Sequence, residues 1–334
     1  MHSQRHSKMM PALKALAVVF SCGSLFWGPL ATDALAKVET TFLYRLSDFG
    51  GTIPYSQINI FADEKRSEIY VADPRERDIR IFNDRGMEVY RFGDDGSLGT
   101  VVDIAADADG DILVITRKAS KFVILVCNFR GEPVSELVLK NLPSDFSGFS
   151  PNRIVYRQEQ LYLVDTASLT IVVTDANGVF RIGYNVGDLA GIEVKDRDSM
   201  DMGGFSVDPQ GNMLFTIPVL FSAFQLTPDG KLAAFGRPGS APGKFNLVGG
   251  IVADDRGYFY VADRLKSAIL IFDQKFRFQR QFGYRGRGPQ NLIAPNNLVI
   301  DAQNRLYVSQ MGQVGVSVFK ITHSQPEPAG NNSK

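Results

Sequence analysis

Short apolar strands with one common grammar recur along this chain at intervals of roughly 40 to 55 residues. That period constrains the fold more than any other feature. Ile69-Tyr-Val-Ala-Asp73, Leu161-Tyr-Leu-Val-Asp165 and Tyr258-Phe-Tyr-Val-Ala-Asp263 are close copies of one another. Leu306-Tyr-Val-Ser309 and Ile112-Leu-Val-Ile-Thr116 follow the same pattern, and Met213-Leu-Phe-Thr-Ile217 is a looser sixth. A strand and a polar turn precede each, as in Ile251-Val-Ala-Asp-Asp-Arg-Gly257. An alternating strand and a second turn follow, as in Ile79-Arg-Ile-Phe-Asn-Asp-Arg-Gly86. Asp-x-x-Gly and Asn-Gly turns between alternating apolar runs are hairpin signals. The 24 Phe favour strands, and no helical period of useful length appears after residue 36.

Several units end on an aromatic and a glycine: Phe92-Gly93, Phe235-Gly236 and Phe282-Gly283. An early copy, Phe49-Gly50, follows an orphan strand, Thr41-Phe-Leu-Tyr-Arg-Leu46, before any complete unit. The last unit stops at its third strand, Gly315-Val-Ser-Val-Phe-Lys-Ile321. A spare strand at one end and a missing one at the other predict a ring. The chain reads as an all-β, six-bladed β-propeller in which residues 41–47 join the final blade and remove its open edge.

Two stretches resemble NHL repeats. One is Phe282-Gly-Tyr-Arg-Gly-Arg-Gly-Pro-Gln-Asn-Leu-Ile-Ala-Pro-Asn-Asn-Leu-Val-Ile-Asp301 with Arg305-Leu-Tyr-Val308. The other is Phe235-Gly-Arg-Pro-Gly-Ser-Ala-Pro-Gly-Lys-Phe245, leading to Ile251-Val-Ala-Asp254 and Tyr260-Val-Ala-Asp263. The resemblance is strong over 235–321, fair over 53–93 and weak in the middle three units. It implies six blades and says almost nothing of function, because one fold hosts many activities.

The N-terminus predicts export. Arg5, Lys8 and Lys14 precede an uncharged run, 15–32, and Ala34-Leu35-Ala36 is a small-x-small cleavage pattern. The expected division is a signal peptide over 1–36, a propeller over 37–322 and a disordered tail over 323–334. Location is then periplasmic or secreted in a bacterium, with no membrane span after cleavage. A retained anchor is the rival reading, and a lipobox at Cys22 is a weaker one, because apolar sequence continues past that cysteine. Without Arg5, Lys8, Lys14 and Asp33, 33 basic residues face 35 acidic ones, so no nucleic-acid partner is expected. Cys127 is the only cysteine after residue 36 and sits in an apolar run, Phe122-Val-Ile-Leu-Val-Cys127, as a buried thiol.

Most acidic motifs dissolve on alignment. Asp107-Ala-Asp-Gly-Asp111 imitates a calcium loop, yet the same place in other units holds Asp208-Pro-Gln-Gly and Asp254-Asp-Arg-Gly. Asp73, Asp165 and Asp263 recur at one turn position, where a carboxylate accepts backbone amides. Aligning the first strands on their turns puts Asn59, Asp103, Arg153, Gly204, Gly250 and Asn297 at one equivalent position. If it faces the channel, the ring is polar on one arc and glycine-open on the other. Asn59, Asp103, Arg153 and Asn297 are the candidate ligand-binding residues, with Arg153 as anchor for a small polar or anionic ligand. The competing reading has Asp103 and Arg153 neutralise each other while the asparagines bind water.

His323 is the only histidine after residue 36, which removes histidine-ligated metals, a histidine base and Ser-His-Asp chemistry. No catalytic residue, metal ligand or cofactor is assigned. The expected function is a non-catalytic binding scaffold in the cell envelope, its partner another envelope protein or a small polar ligand. The alternative is a metal-dependent, lactonase-like hydrolase using Asp103, Asn59 and Asn297 at the channel mouth. Arg277, Arg280, Arg285 and Arg287 form a basic cluster, read as a solvated loop or a contact to an acidic partner, and the long loops 141–151 and 184–204 are further binding candidates, the second one acidic.

Overall fold

The repeated apolar strands are buried along almost their whole length. Glu68–Asp73, Gln160–Asp165, Phe259–Asp263 and Arg305–Gln310 leave at most their first residue partly exposed. Runs without polar alternation must be covered on both faces, and a ring of stacked sheets provides that cover. The structure, a computed structural model, describes residues 37–48, 51–52, 58–312 and 314–324. The expected signal segment, Cys22, the Phe49-Gly50 pair and 325–334 lie outside the described residues.

Six four-stranded antiparallel sheets form the blades of a propeller. Blade 1 consists of Asn59–Asp63, Glu68–Asp73, Asp78–Phe82 and Glu88–Phe92. Blade 2 follows with Thr100–Ala106, Ile112–Lys118, Lys121–Cys127 and Pro133–Glu136. Blade 3 is Arg153–Arg157, Gln160–Asp165, Thr170–Asp175 and Phe180–Asn185. Phe205–Val207, Met213–Ile217, Ser222–Leu226 and Leu232–Phe235 make blade 4. Blade 5 is Val248–Ala253, Phe259–Asp263, Ala268–Phe272 and Phe278–Phe282. Between adjacent blades lie six apolar clusters, one to a junction. Tyr70 and Ala72 pack toward blade 2, whereas Ile69 and Val71 pack toward blade 6.

Blade 6 joins both ends of the described chain. Its strands Pro295–Ile300, Arg305–Gln310 and Val316–Ser324 receive Lys37–Arg45 as the outermost member. Lys37 pairs with Ser324 and Arg45 with Ser317, so the N-terminal strand closes the ring. This strand begins four residues earlier than expected, and Val38 is buried with the core between blades 5 and 6. The last strand also overruns the expected end of the domain at 322. His323 lies inside it, buried against the Tyr258 ring, with Nε2 2.8 Å from Asp254 Oδ2. Pairing with Lys37 and Val38 and this Asp–His contact hold the last two residues.

The Phe-Gly pairs have a mechanical role. Gly93, Gly236 and Gly283 end their blades at φ +88°, +100° and +85°, a region glycine enters without cost. Each turns the chain so that a buried Leu98, Phe245 or Leu292 folds back beneath it, and a Cβ would meet that side chain at 2.6, 2.1 and 2.6 Å. The acidic turns have a similar explanation. Asp107 Oδ1 accepts the amides of Asp109, Gly110 and Asp111, and Asp254 Oδ1 those of Arg256 and Tyr258. Asp73, Asp165 and Asp263 accept backbone amides in the same manner.

Two single-turn helices, Val186–Leu189 and Val194–Arg197, interrupt the loop after blade 3 and are too short to show a sequence period. Arg197 bonds Asp188 Oδ1 and the Ile192 carbonyl, so part of that loop's acidity is internally compensated. Cys127 is buried, and burial pushes its thiol up to about 11. Among the described residues no helix is long and apolar enough to cross a membrane.

Candidate ligand site in the central channel

Inner strands of all six blades line a central cavity of about 440 Å³. Asn59, Asp103, Arg153, Gly204, Gly250 and Asn297 all contribute to its lining, so the turn-based alignment brings the six positions together. Three of the four polar side chains among them are engaged by neighbouring blades. Asn297 Nδ2 donates to Asn59 Oδ1 at 3.0 Å, and Asn59 Nδ2 donates to the Val102 carbonyl at 2.6 Å. The Ile154 amide in turn donates to Asp103 Oδ2 at 2.9 Å. Three of the four candidates thus stitch blades 6, 1, 2 and 3 together at the channel wall.

The glycine arc is not open, contrary to expectation. A Cβ on Gly204 would lie 2.5 Å from the Gly250 Cα, and one on Gly250 would lie 2.5 Å from the Asn296 carbonyl oxygen. Both glycines permit neighbouring inner strands to touch backbone to backbone, which closes the ring where the polar stitches end. Register varies around this ring. The inner strands of blades 2, 5 and 6 are irregular at this level, between Val101 and Asp103, Val248 and Ile251, and Pro295 and Leu298. An extra residue there swings side chains away from the strict alternation of a regular strand.

Arg153 is the exception among the four. Its Nη1 donates to the Asn152 carbonyl at 2.8 Å, and among the described residues no carboxylate lies within ion-pair distance of it. Its other donors remain available to the cavity. Asp103 and Arg153 interact through space without pairing. Burial pushes the Asp103 carboxyl up to about 6, opposed first by the Arg153 charge and then by the hydrogen bond from the Ile154 amide.

Above this level the wall turns apolar, with Ala62, Val155, Phe205, Ala253, Val299 and Ile300 all half-buried. The rim is charged on one side only, where the first hairpin turns of blades 1 to 3 contribute Glu64, Lys65, Asp107 and Arg157. Lys65 Nζ donates to the Ala108 carbonyl at 2.6 Å, and Arg157 lies 3.6 Å from Glu64, so these turns brace one another. This rim lies one turn beyond the equivalent positions of the inner strands. Its only sequence signal is the charge of turns that looked merely structural. Among the described residues no three of His, Cys, Asp and Glu gather in a way that would hold a metal ion. The proposed basic cluster is divided, since Arg277 pairs with Asp273 on the outer edge and Arg280 donates to the Val38 carbonyl.

Comparison with known proteins agrees with the architecture. Residues 246–327, essentially blades 5 and 6, match a family described as a six-bladed β-propeller. No match is found among curated proteins. An auxiliary nutrient binding protein from Bacteroides ovatus superposes with a TM-score of 0.58 at 13% identity, covering 87% of this chain and 78% of that one. Virginiamycin B lyase from Staphylococcus aureus, solved with quinupristin, gives 0.55 at 12% identity, over 86% and 99%. A gluconolactonase from Xanthomonas campestris gives 0.54 at 13%, over 85% and 90%. At these identities the likeness establishes the propeller fold and nothing about activity.

Proposed function

We propose that this protein is an exported, non-catalytic binding propeller of the bacterial envelope, built on NHL-like repeats. Its channel takes a small ligand with an apolar body and an anionic group. One observation carries the reading: Arg153 keeps free guanidinium donors in a 440 Å³ cavity whose mixed lining includes apolar side chains such as Val155, Phe205 and Val299. A cavity of that size holds a small molecule, and one placed cation fixes its orientation. The nutrient binding protein of the same fold supports a binding role by analogy alone.

Hydrolysis by a channel-bound divalent ion is less well served. Asn59 and Asn297 are occupied with each other, and Asp103 is the one carboxylate at their level. The test is a thermal-shift and calorimetric titration with aliphatic and aromatic monocarboxylates, with calcium, zinc and chelator run beside them. Stabilisation by a carboxylate, weakened at least tenfold in Arg153→Gln, is expected. A stoichiometric divalent ion that disappears in Asp103→Ala would replace this reading with the hydrolase.

A further inference from the structure

In an antiparallel blade, the turn between the second and third strands lies at the same end as the connection to the next blade. Blades 5 and 6 place four such segments together: 236–247, 264–267, 283–294 and, among the described residues of the last turn, 311–312 with 314–315. These carry Arg237, Lys244, Arg264, Lys266, Arg285 and Arg287, and not one carboxylate, in a chain whose charges balance overall. Bonds between the segments make the patch continuous. Lys266 Nζ donates to the Ser240 and Ala241 carbonyls, the Arg264 amide donates to the Leu247 carbonyl, and Arg264 Nη2 meets Met311 Sδ. The Met311 amide then donates to the Ile293 carbonyl. Among the described residues none of the six cations has an ion-pair partner. The two long connections share one local fold, with short parallel bridges Pro238–Phe245 and Arg285–Leu292.

Apolar side chains protrude among these charges. Leu265 is 70% exposed and Tyr284 66% exposed, in two neighbouring segments. Beside Arg237 and Lys244 lies a recess of about 400 Å³ walled by Phe235, Phe272, Phe276 and Phe278. Cations interleaved with protruding leucine and tyrosine match a surface of anionic headgroups over an apolar interior. A purely acidic partner would satisfy the charges and leave Leu265 and Tyr284 uncovered.

We propose that this face of blades 5 and 6 docks on an anionic lipid surface, an inference independent of the channel reading. The test uses protein beginning at Lys37, which retains every strand of the six blades. It is floated with vesicles of phosphatidylcholine alone and with vesicles that include phosphatidylglycerol. At least tenfold tighter binding to the anionic vesicles is expected, and the double substitution Arg285→Glu, Arg287→Glu should abolish that preference. Leu265→Ser with Tyr284→Ser should remove the binding that survives high salt. All four residues lie on the surface, so unchanged melting temperatures would certify the variants as folded. Equal binding to both vesicle types, or a preference untouched by charge reversal, overturns the proposal. Capture of polyglutamate without vesicle binding overturns it in favour of an acidic protein partner.

Discussion

The Asn297 side chain donates to the Asn59 side chain at 3.0 Å, across the junction of the last blade with the first. Asn59 passes the connection on to the Val102 carbonyl in blade 2. Removing either asparagine leaves a part-buried polar group without its partner, so each alanine variant should cost about 1–2 kcal/mol in urea unfolding. The double variant should cost less than the two together, because one bond is lost in both. Full additivity would mean that the pair is not coupled.

Closure by the N-terminal strand makes the six blades interdependent. Deleting residues 37–45 uncovers the outer edge of blade 6 and the cluster around Val38, Val308 and Ile321. The expected result is a lower melting temperature for the whole ring, seen equally by circular dichroism and by the fluorescence of buried tyrosines such as Tyr307. Val38→Ala alone should cost about 2 kcal/mol. An unchanged melt after the deletion would refute the closure.

Gly250 tests the close approach of inner strands. Its alanine variant forces a methyl against the Asn296 carbonyl and the Leu298 amide, both backbone atoms that cannot swing aside. A loss of roughly 3 kcal/mol or more is expected. Gly148→Ala, with open space around the added carbon, should stay within about 0.5 kcal/mol.

Asp103 ties stability to pH. Its folded carboxyl titrates at about 6 against an ordinary 3.8, so the native state binds the proton more tightly than the unfolded chain. The stability this confers is complete below the unfolded value and lost as pH rises through the folded one, by up to about 3 kcal/mol. Asn at this position keeps an acceptor for the Ile154 amide without the charge. Asp103→Asn should therefore match the parent near pH 4 and exceed it by about 2–3 kcal/mol near pH 8. An anionic ligand at Arg153 should also bind more tightly as pH falls through about 6, when the neighbouring carboxylate is neutralised. A flat pH profile for both quantities would remove Asp103 from the site.

The ring was legible because its signals are local or countable. Turn aspartates, Phe-Gly ends and a spare strand matched to a missing one are all visible along the chain. Asn59, Asp103, Arg153 and Asn297 were found together because equal spacing from a turn survives into the structure. Their bonds to one another were not legible, since Asn59–Asn297 and Asp103–Ile154 join blades that lie 238 and 51 positions apart in sequence. The buried His323 escaped for a related reason. A histidine in a polar C-terminal stretch looks solvated until Asp254, 69 positions away, is seen beside it.

Ser324 Oγ donates to the Lys37 carbonyl across 287 positions of sequence. A chain emerging N-terminus first holds Lys37–Arg45 without a partner until the end of blade 6 has been made. Five blades can stack in order of synthesis, yet the faces bearing Ile69, Val71 and Tyr307 stay uncovered until the seam shuts. Contacts of such long separation form late and leave apolar surface open meanwhile. Maturation is thus decided by a single final event, and a chain truncated anywhere before that seam remains an open arc with two adhesive ends.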